Sequence, residues 1–299
     1  MADTMLDETD AGTGETAGSS PPKPRSRLAI MFANDRKAQV ALAILALLAA
    51  MAALAPVIAP YDPNEMTIDM MSAPSWGHPL GTDDLGRDLF SRIVWGAQVS
   101  LFVGVVTVAI ALFFGVLLGV AAGYYGGWID TVIMRYIDLQ WAFPNFIVAV
   151  YLVAVFGTGL SNVIAAISLA FLDDFARVAR SRVLTVKEEQ FVQAARVQGF
   201  SDLRIMGVHI LPNAMAPLIV QATVSVSYAI LGEASLSFLG LGVGANTPTW
   251  GLILSDGRSF ISQAWWLGVF PGLAIMLVVL SINFLGDSLR DALDVREDV

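Results

Sequence analysis

The side chains in this sequence that could do chemistry are few and poorly placed for it. Asp173 and Asp174 are adjacent acids beside a long apolar stretch. Paired carboxylates are usual equipment for proton transfer, but neighbours in sequence diverge by about 100° around a helix. No Ser/His or metal-ligand set accompanies them. The two histidines, His78 and His209, lie in different segments, which argues against an imidazole metal site. With no cysteine, disulfides, thiolate metal sites and cysteine nucleophiles are excluded together. No Gly-Lys dipeptide occurs, so a GxxxxGK[ST] phosphate loop is absent. The glycines at 240, 242, 244 and 251 have no preceding strand or following helix to make them a nucleotide fingerprint. The sequence therefore predicts no catalytic residue, no metal and no cofactor.

The remaining charges read as structural pairs. Arg135 and Asp138 are three residues apart, close enough on a helix to pair with each other. Asp173 and Asp174 are followed by Arg177, Arg180 and Arg182, which suits helical Asp–Arg pairs where a helix leaves the membrane; a proton relay is the rival reading. Arg87 and Asp88 suggest a local ion pair.

The elements that must carry these residues are apolar. Hydrophobic residues make up 56% of the 299 and charged residues 14%, where a soluble domain has about a quarter. The net charge of −9 and the lack of a basic stripe argue against nucleic acid. Residues 1–37 read as a disordered acidic tail followed by a basic stretch. Ala38–Ile58 is free of charge and long enough to cross about 30 Å of hydrocarbon. A cleaved signal peptide is the rival there, but the run starts too late and is too long for one. Further spans are expected near Val99–Ala122, twice within Leu139–Leu172 with a turn at Gly157–Asn162, near Asn213–Leu231, and near Trp266–Gly286.

This gives an all-α polytopic membrane protein with six transmembrane helices over residues 38–290, an outer segment at 60–95 and a cytoplasmic tail at 291–299. Of the 17 lysines and arginines, only Arg87, Arg92 and Arg258 fall on outer segments. The positive-inside rule then puts both termini in the cytoplasm. Trp250, Trp265 and Trp266 suit an interfacial belt.

Residues 183–212 form a polar, helix-forming cytoplasmic segment broken at Gly199–Asp202. Gly199 can end one helix at positive φ, Ser201 or Asp202 can cap the next, and Pro212 closes it. Two short helices at an angle are expected, an elbow that a grooved partner could grip. A basic loop that only sets topology is the plainer reading.

Here the residues match a family. Gln193-Ala194-Ala195, Gly199 and Ile210-Leu211-Pro212 resemble the EAA loop of the membrane subunits of ABC importers, with Gln193 in place of the name-giving Glu. His78-Pro79-Leu80-Gly81-Thr82-Asp83-Asp84-Leu85-Gly86-Arg87-Asp88 resembles the outer segment of the C-type subunit of dipeptide and oligopeptide permeases. Phe143-Pro144 and Glu233-Ala234-Ser235-Leu236-Ser237-Phe238-Leu239-Gly240-Leu241-Gly242 also fit it.

The resemblance implies a non-enzymatic cell-membrane permease subunit that imports peptides. It would work with a second, related permease subunit as a heterodimer, two ATP-binding subunits and an external binding protein. Gln193, Ala194, Ala195, Gly199, Asp202, Ile210, Leu211 and Pro212 would couple it to an ATPase. Apart from the resemblance, Glu233 opens a stretch with Gly240, Gly242, Gly244, Pro248 and Gly251. Irregular backbone there suits a partly re-entrant outer segment in which Glu233, Ser237 and Phe238 line or gate the pathway. Relatives that move nickel, glutathione or another small solute leave the substrate open. An ATP-independent secondary transporter and a membrane-embedded enzyme are the competing classes. No convincing internal repeat supports the first, and no catalytic constellation supports the second.

Overall fold

The computed structural model describes residues 35–244 and 246–294, so the expected acidic tail and the last residues of the C-terminal tail lie outside them. Helices dominate, and among the described residues no β-strand forms beyond a single bridge between Thr82 and Asp88.

Helix α1, Arg36–Ala53, starts at Asp35, whose carboxylate accepts from the Lys37 N–H at 2.9 Å. Its continuation is the short α2, Ala55–Ile58, with Pro56 in the first turn, where a missing N–H costs nothing. After a polar segment comes α3, Leu89–Tyr125. It begins ten residues before the expected span because the Asp88 carboxylate accepts from the Ser91 N–H and hydroxyl, at 2.8 and 2.7 Å. Arg92 does not stop it, since its charge is matched inside the protein, as described below.

The next apolar stretch bends. Helix α4, Gly127–Trp141, and α5, Asn145–Phe156, meet at 89°. Pro144 sits at the break, lacking an N–H and pushing Phe143 out of helical geometry. Gly157 and Gly159, at φ +93° and +126°, turn the chain tightly into α6, Leu160–Val186, where the sequence predicts a turn. Then come α7, Gln190–Val197, α8, Asp202–Phe238, α9, Trp250–Gly257, and α10, Trp266–Asp294.

Among the described residues, four helices, α1, α3, α8 and α10, are long and apolar enough to cross a membrane, or five if the bent α4–α5 pair counts as one span. Helix α6 is long enough but carries Asp173, Asp174, Arg177, Arg180 and Arg182 in its second half.

Helices α3 and α6 pack backbone to backbone. A Cβ at Gly119 would sit 2.3 Å from the Ala176 carbonyl oxygen, and one at Gly115 would sit 2.6 Å from that of Leu172. Small residues four apart allow this approach, as in other membrane helix pairs. The close fit fixes the register between the two ends of the bundle. One end carries residues 59–88, 239–244 and 246–265; the other carries the 183–212 segment.

Two of the three tryptophans expected at a membrane interface are internal instead. Trp250 is fully buried with its indole N–H donating to the Ile93 carbonyl at 3.1 Å, and Trp266 donates to that of Thr82 at 3.0 Å. A large ring whose one polar atom is satisfied makes a better wedge between helices than an interface marker. Trp265 alone is substantially exposed.

Candidate functional site

At the elbow, α7 ends in a turn that requires glycine. Gly199 has φ +77°, its N–H donates to the Arg196 carbonyl at 3.0 Å, and the Phe200 N–H reaches back to that of Ala195 at 3.2 Å. This pairing is a Schellman motif. Nothing lies within 4 Å of a Cβ placed there, so the requirement is conformational and not spatial.

The first arm of the elbow is α7. Val192 and Ala195 are buried, in one apolar cluster with Val183, Ile205 and Ile210, while Ala194 is exposed. The Gln193 amide donates to the Lys187 carbonyl at 3.1 Å. A carboxylate at that position would set acceptor against acceptor, so glutamine suits this contact. Lys187 itself donates to the Gly123 carbonyl at 2.9 Å, closing the C-terminal end of α3.

The second arm differs from the expected short helix closed by Pro212. It is the start of α8, which runs on unbroken, with Ile210 buried and Leu211 and Pro212 inside the helix. Residues Ile205–Ile210 form a π turn in which the Leu211 N–H reaches the Met206 carbonyl. The widened turn accommodates a proline that has no N–H to give. Neither Ser201 nor Asp202 caps this arm through its side chain. Asp202 instead accepts from the Tyr124 hydroxyl at 2.6 Å, tying the elbow to the end of α3.

The apex carries apolar residues that the sequence reading passed over. Val197 and Leu203 are 89% and 78% exposed, and Val208 and Phe191 are exposed beside them. The available signal was the presence of bulky apolar residues in an otherwise polar segment at positions the elbow's own cluster does not need.

Toward the other end, Glu233 and Ser237 come together and Phe238 does not join them. Glu233 is fully buried, accepting from Ser237 Oγ at 2.7 Å and Ser100 Oγ at 3.4 Å. The Trp250 N–H donates to Ser100 Oγ at 3.4 Å, and Thr249 Oγ1 lies 3.5 Å from Ser237 Oγ. One carboxylate thus holds α3, α8 and the start of α9 together. Phe238 is partly exposed at the helix end, 5.7 Å from the Arg258 guanidinium. The segment after it contains the short helix α9 and is anchored by a bond from the Gly159 N–H to the Gly242 carbonyl at 3.1 Å.

Three expected ion pairs are replaced by longer-range ones. Arg87 does not pair with Asp88: it bonds Asp83 at 2.6 Å and Asp256 at 3.1 Å. Arg92 bonds the same two carboxylates, reaching Asp256 at 3.0 Å. Asp88 takes His78 Nδ1 at 2.9 Å in addition to its capping bonds. Asp138 pairs with Arg177 at 2.7 Å and not with Arg135. Arg180 grips Asp130 through two bonds of 2.5 and 2.6 Å, so Arg177 and Arg180 both form their ion pairs with α4 and not with Asp173 or Asp174. Among the described residues no cluster of His, Asp and Glu could hold a metal ion.

Residues 115–299 match the family described as the inner membrane component of binding-protein-dependent transport systems. Residues 26–74 match the N-terminal transmembrane domain of oligopeptide transport permease C. The chain is 45% identical over 282 residues to the di/tripeptide transport system permease protein DppC of Pseudomonas aeruginosa, spanning 92% of this chain and 93% of that relative. It is 51% identical over 226 residues to the dipeptide transport system permease protein DppC of Alkalihalophilus pseudofirmus, spanning 76% and 74%. To the glutathione transport system permease protein GsiD of Escherichia coli O6:K15:H31 it is 44% identical over 267 residues, spanning 89% and 88%.

Among solved structures, a chain of the MetNI methionine ABC transporter in inward-facing conformations shares the fold, with a TM-score of 0.53 and 19% identity over 66% of this chain and 94% of that one. By sequence and fold, this chain belongs to the inner membrane components of binding-protein-dependent transport systems, and it is a permease subunit of an ABC importer, not an enzyme.

Proposed function

We propose that this chain, with a second and non-identical permease subunit, forms the pathway of an ATP-driven importer of di- or oligopeptides, and that residues 183–212 dock on a separate ATP-binding subunit. Two such ATPases and an external binding protein complete the assembly. The observation that carries the coupling role is the apex of the elbow, where Val197 and Leu203 stand exposed on a segment whose inner face is braced by Tyr124, Lys187 and the Val192–Ala195 cluster. Exposed apolar side chains on a rigid support are what a partner's groove would bury.

Counting the bent α4–α5 pair and α6 as crossings gives six spans. The bias of lysine and arginine then favours cytoplasmic termini and a cytoplasmic elbow. Relatives named for dipeptides and di/tripeptides support the substrate class. Those named for glutathione, itself a modified tripeptide, point to a related cargo.

The test uses the cysteine-free chain. Ala195 faces inward, so the thiol belongs at Leu203. A crosslink from Leu203→Cys to a thiol in the membrane-facing groove of a co-expressed ATP-binding subunit, with a yield that changes on ATP addition, is expected. Its absence in a correctly inserted complex would remove the coupling role.

A further inference from the structure

Two of the grooves that flank α6 differ in chemistry. One, of about 650 Å³, lies against α3 between side chains such as Ile110, Phe114, Leu117, Leu169 and Leu172. Of its two serines, Ser168 is satisfied internally by the carbonyls of Ile164 and Thr107, and Ser161 lies near the start of α6. That surface suits acyl chains or an apolar neighbour.

The other groove, of about 440 Å³, opens between α5, α6 and α8 and presents Asn145, Asp174, Tyr228 and Ser235 among apolar walls. A second hollow at the α4–α5 bend shares Asn145 and Asp174 with it, so the bend extends the same groove. Asp174 is 14 positions into α6 from Leu160, roughly 21 Å along the helix axis, far from either end of the bundle.

Its carboxylate is not neutralised by an ion pair among the described residues. Trp141 borders it. Arg177, one turn on, gives its Nη2 to Asp138 at 2.7 Å and rests 4.2 Å from the centroid of the Trp141 ring. Polar and ionisable groups at membrane depth face protein or a water-filled cavity and mark substrate paths. A concave site with a few convergent polar groups on apolar walls is also the usual form of a small-ligand site.

We infer that this groove is this subunit's share of the translocation pathway and that Asp174 receives the α-ammonium group of the passing peptide. Asn145 and Tyr228 offer neutral hydrogen-bonding groups within the same groove, suited to the peptide's amide, and Phe146 and Phe171 line the apolar wall beside them. The neutral contacts carry no preference for one side chain over another, which a pathway serving many peptides requires. The inference rests on the import reading above and adds the binding group.

The test is thiol chemistry on the assembled transporter in inverted membrane vesicles. Ser235→Cys is treated in parallel with a cationic and an anionic methanethiosulfonate reagent. The cationic reagent is expected to react faster, and the preference to fall about fivefold when Asp174→Asn removes one unit charge nearby. Asp174→Glu keeps the charge and should keep the preference, which separates electrostatics from misfolding. Millimolar dialanine should slow labelling, N-acetyl-dialanine should not, and Asp174→Asn should erase that difference.

An unreactive thiol, a reaction blind to reagent charge, or equal protection by both peptides each overturns the assignment. The Leu203 crosslink, run in the same vesicles, keeps the two readings apart. If it forms while the groove fails these tests, the import reading stands and only this inference falls.

Discussion

The Tyr124 hydroxyl donates a 2.6 Å hydrogen bond to the Asp202 carboxylate, across 78 residues of sequence. It joins the last turn of α3 to the first turn of α8, so the elbow is referenced to the bundle and not only to the helices that flow into it. Arg196 lies 5.2 Å from the centroid of the same tyrosine ring, adding a contact from α7.

Removing that hydroxyl tests how far coupling depends on the brace. Tyr124→Phe should cost only about 1 kcal/mol, a single hydrogen bond, and leave insertion and basal ATP hydrolysis intact. Stimulation of hydrolysis by a peptide-loaded binding protein should drop severalfold. Unchanged stimulation would show that the brace is dispensable.

Gly199 should tolerate only residues at ease with positive φ. Gly199→Ala should cost about 1–2 kcal/mol of left-handed strain, and Gly199→Asn less. Gly199→Pro, with φ locked near −65°, should spoil the turn and uncouple transport from ATP hydrolysis. Because nothing crowds this position, Asn matching wild type while Ala does not would confirm a conformational cause. Normal peptide uptake by the proline variant would count against coupling at this segment.

Gly119 is the opposite case, limited by space. Its would-be Cβ meets the Ala176 carbonyl oxygen at 2.3 Å, so Gly119→Leu should force α3 from α6 and cost on the order of 1–3 kcal/mol or more. Thermal unfolding in detergent would read this directly. A midpoint within a degree of wild type would show that the two helices are not held as described.

Arg92 carries the fully buried share of a four-charge network with Asp83, Arg87 and Asp256. Arg92→Ala leaves Asp83 short of a partner in the interior and should cost about 3–5 kcal/mol. Arg92→Lys cannot reach both carboxylates at once and should fall in between. The yield of folded protein after size-exclusion chromatography would rank the three.

Asp84 predicts a pH dependence. Burial, with Asp83 beside it, raises its carboxyl above the ordinary range, and its Oδ1 is buried with no hydrogen-bond partner. A raised folded-state value means that the folded chain holds this proton more tightly, so stability from this group is lost as pH rises through that value. Asp84→Asn should therefore raise the thermal midpoint modestly at neutral pH, and the gain should vanish in acid where the wild-type group is protonated in both states. An equal gain at every pH would assign the effect to packing.

The elbow was legible because its signal is local. A glycine between two helical stretches ends the first of them at positive φ. The π turn was not legible, since one widened turn leaves the period of α8 almost unchanged and Pro212 then reads as a terminator. The ion pairs were misassigned for a related reason. Spacing proposes Arg87 with Asp88 and Arg135 with Asp138, whereas Asp256 lies 169 and 164 residues from Arg87 and Arg92. Only the folded chain brings it near.

The tryptophans show a further limit. Composition cannot separate a ring at the lipid boundary from one whose indole N–H has found a carbonyl inside, as with Trp250 and Ile93. The glycines at 115, 119 and 123 likewise take their meaning only once α6 is seen against them.

Helix α8 begins at the elbow and ends beyond the buried Glu233, 37 residues without an intervening loop. At 1.5 Å per residue that is about 55 Å, so a tilt of roughly 5° about one end sweeps the other through about 5 Å. The elbow and the buried carboxylate are thus opposite ends of a single lever. On the proposed coupling role, a rocking imposed at Leu203 would reach Glu233 through α8 itself, with no chain of side-chain contacts to relay it.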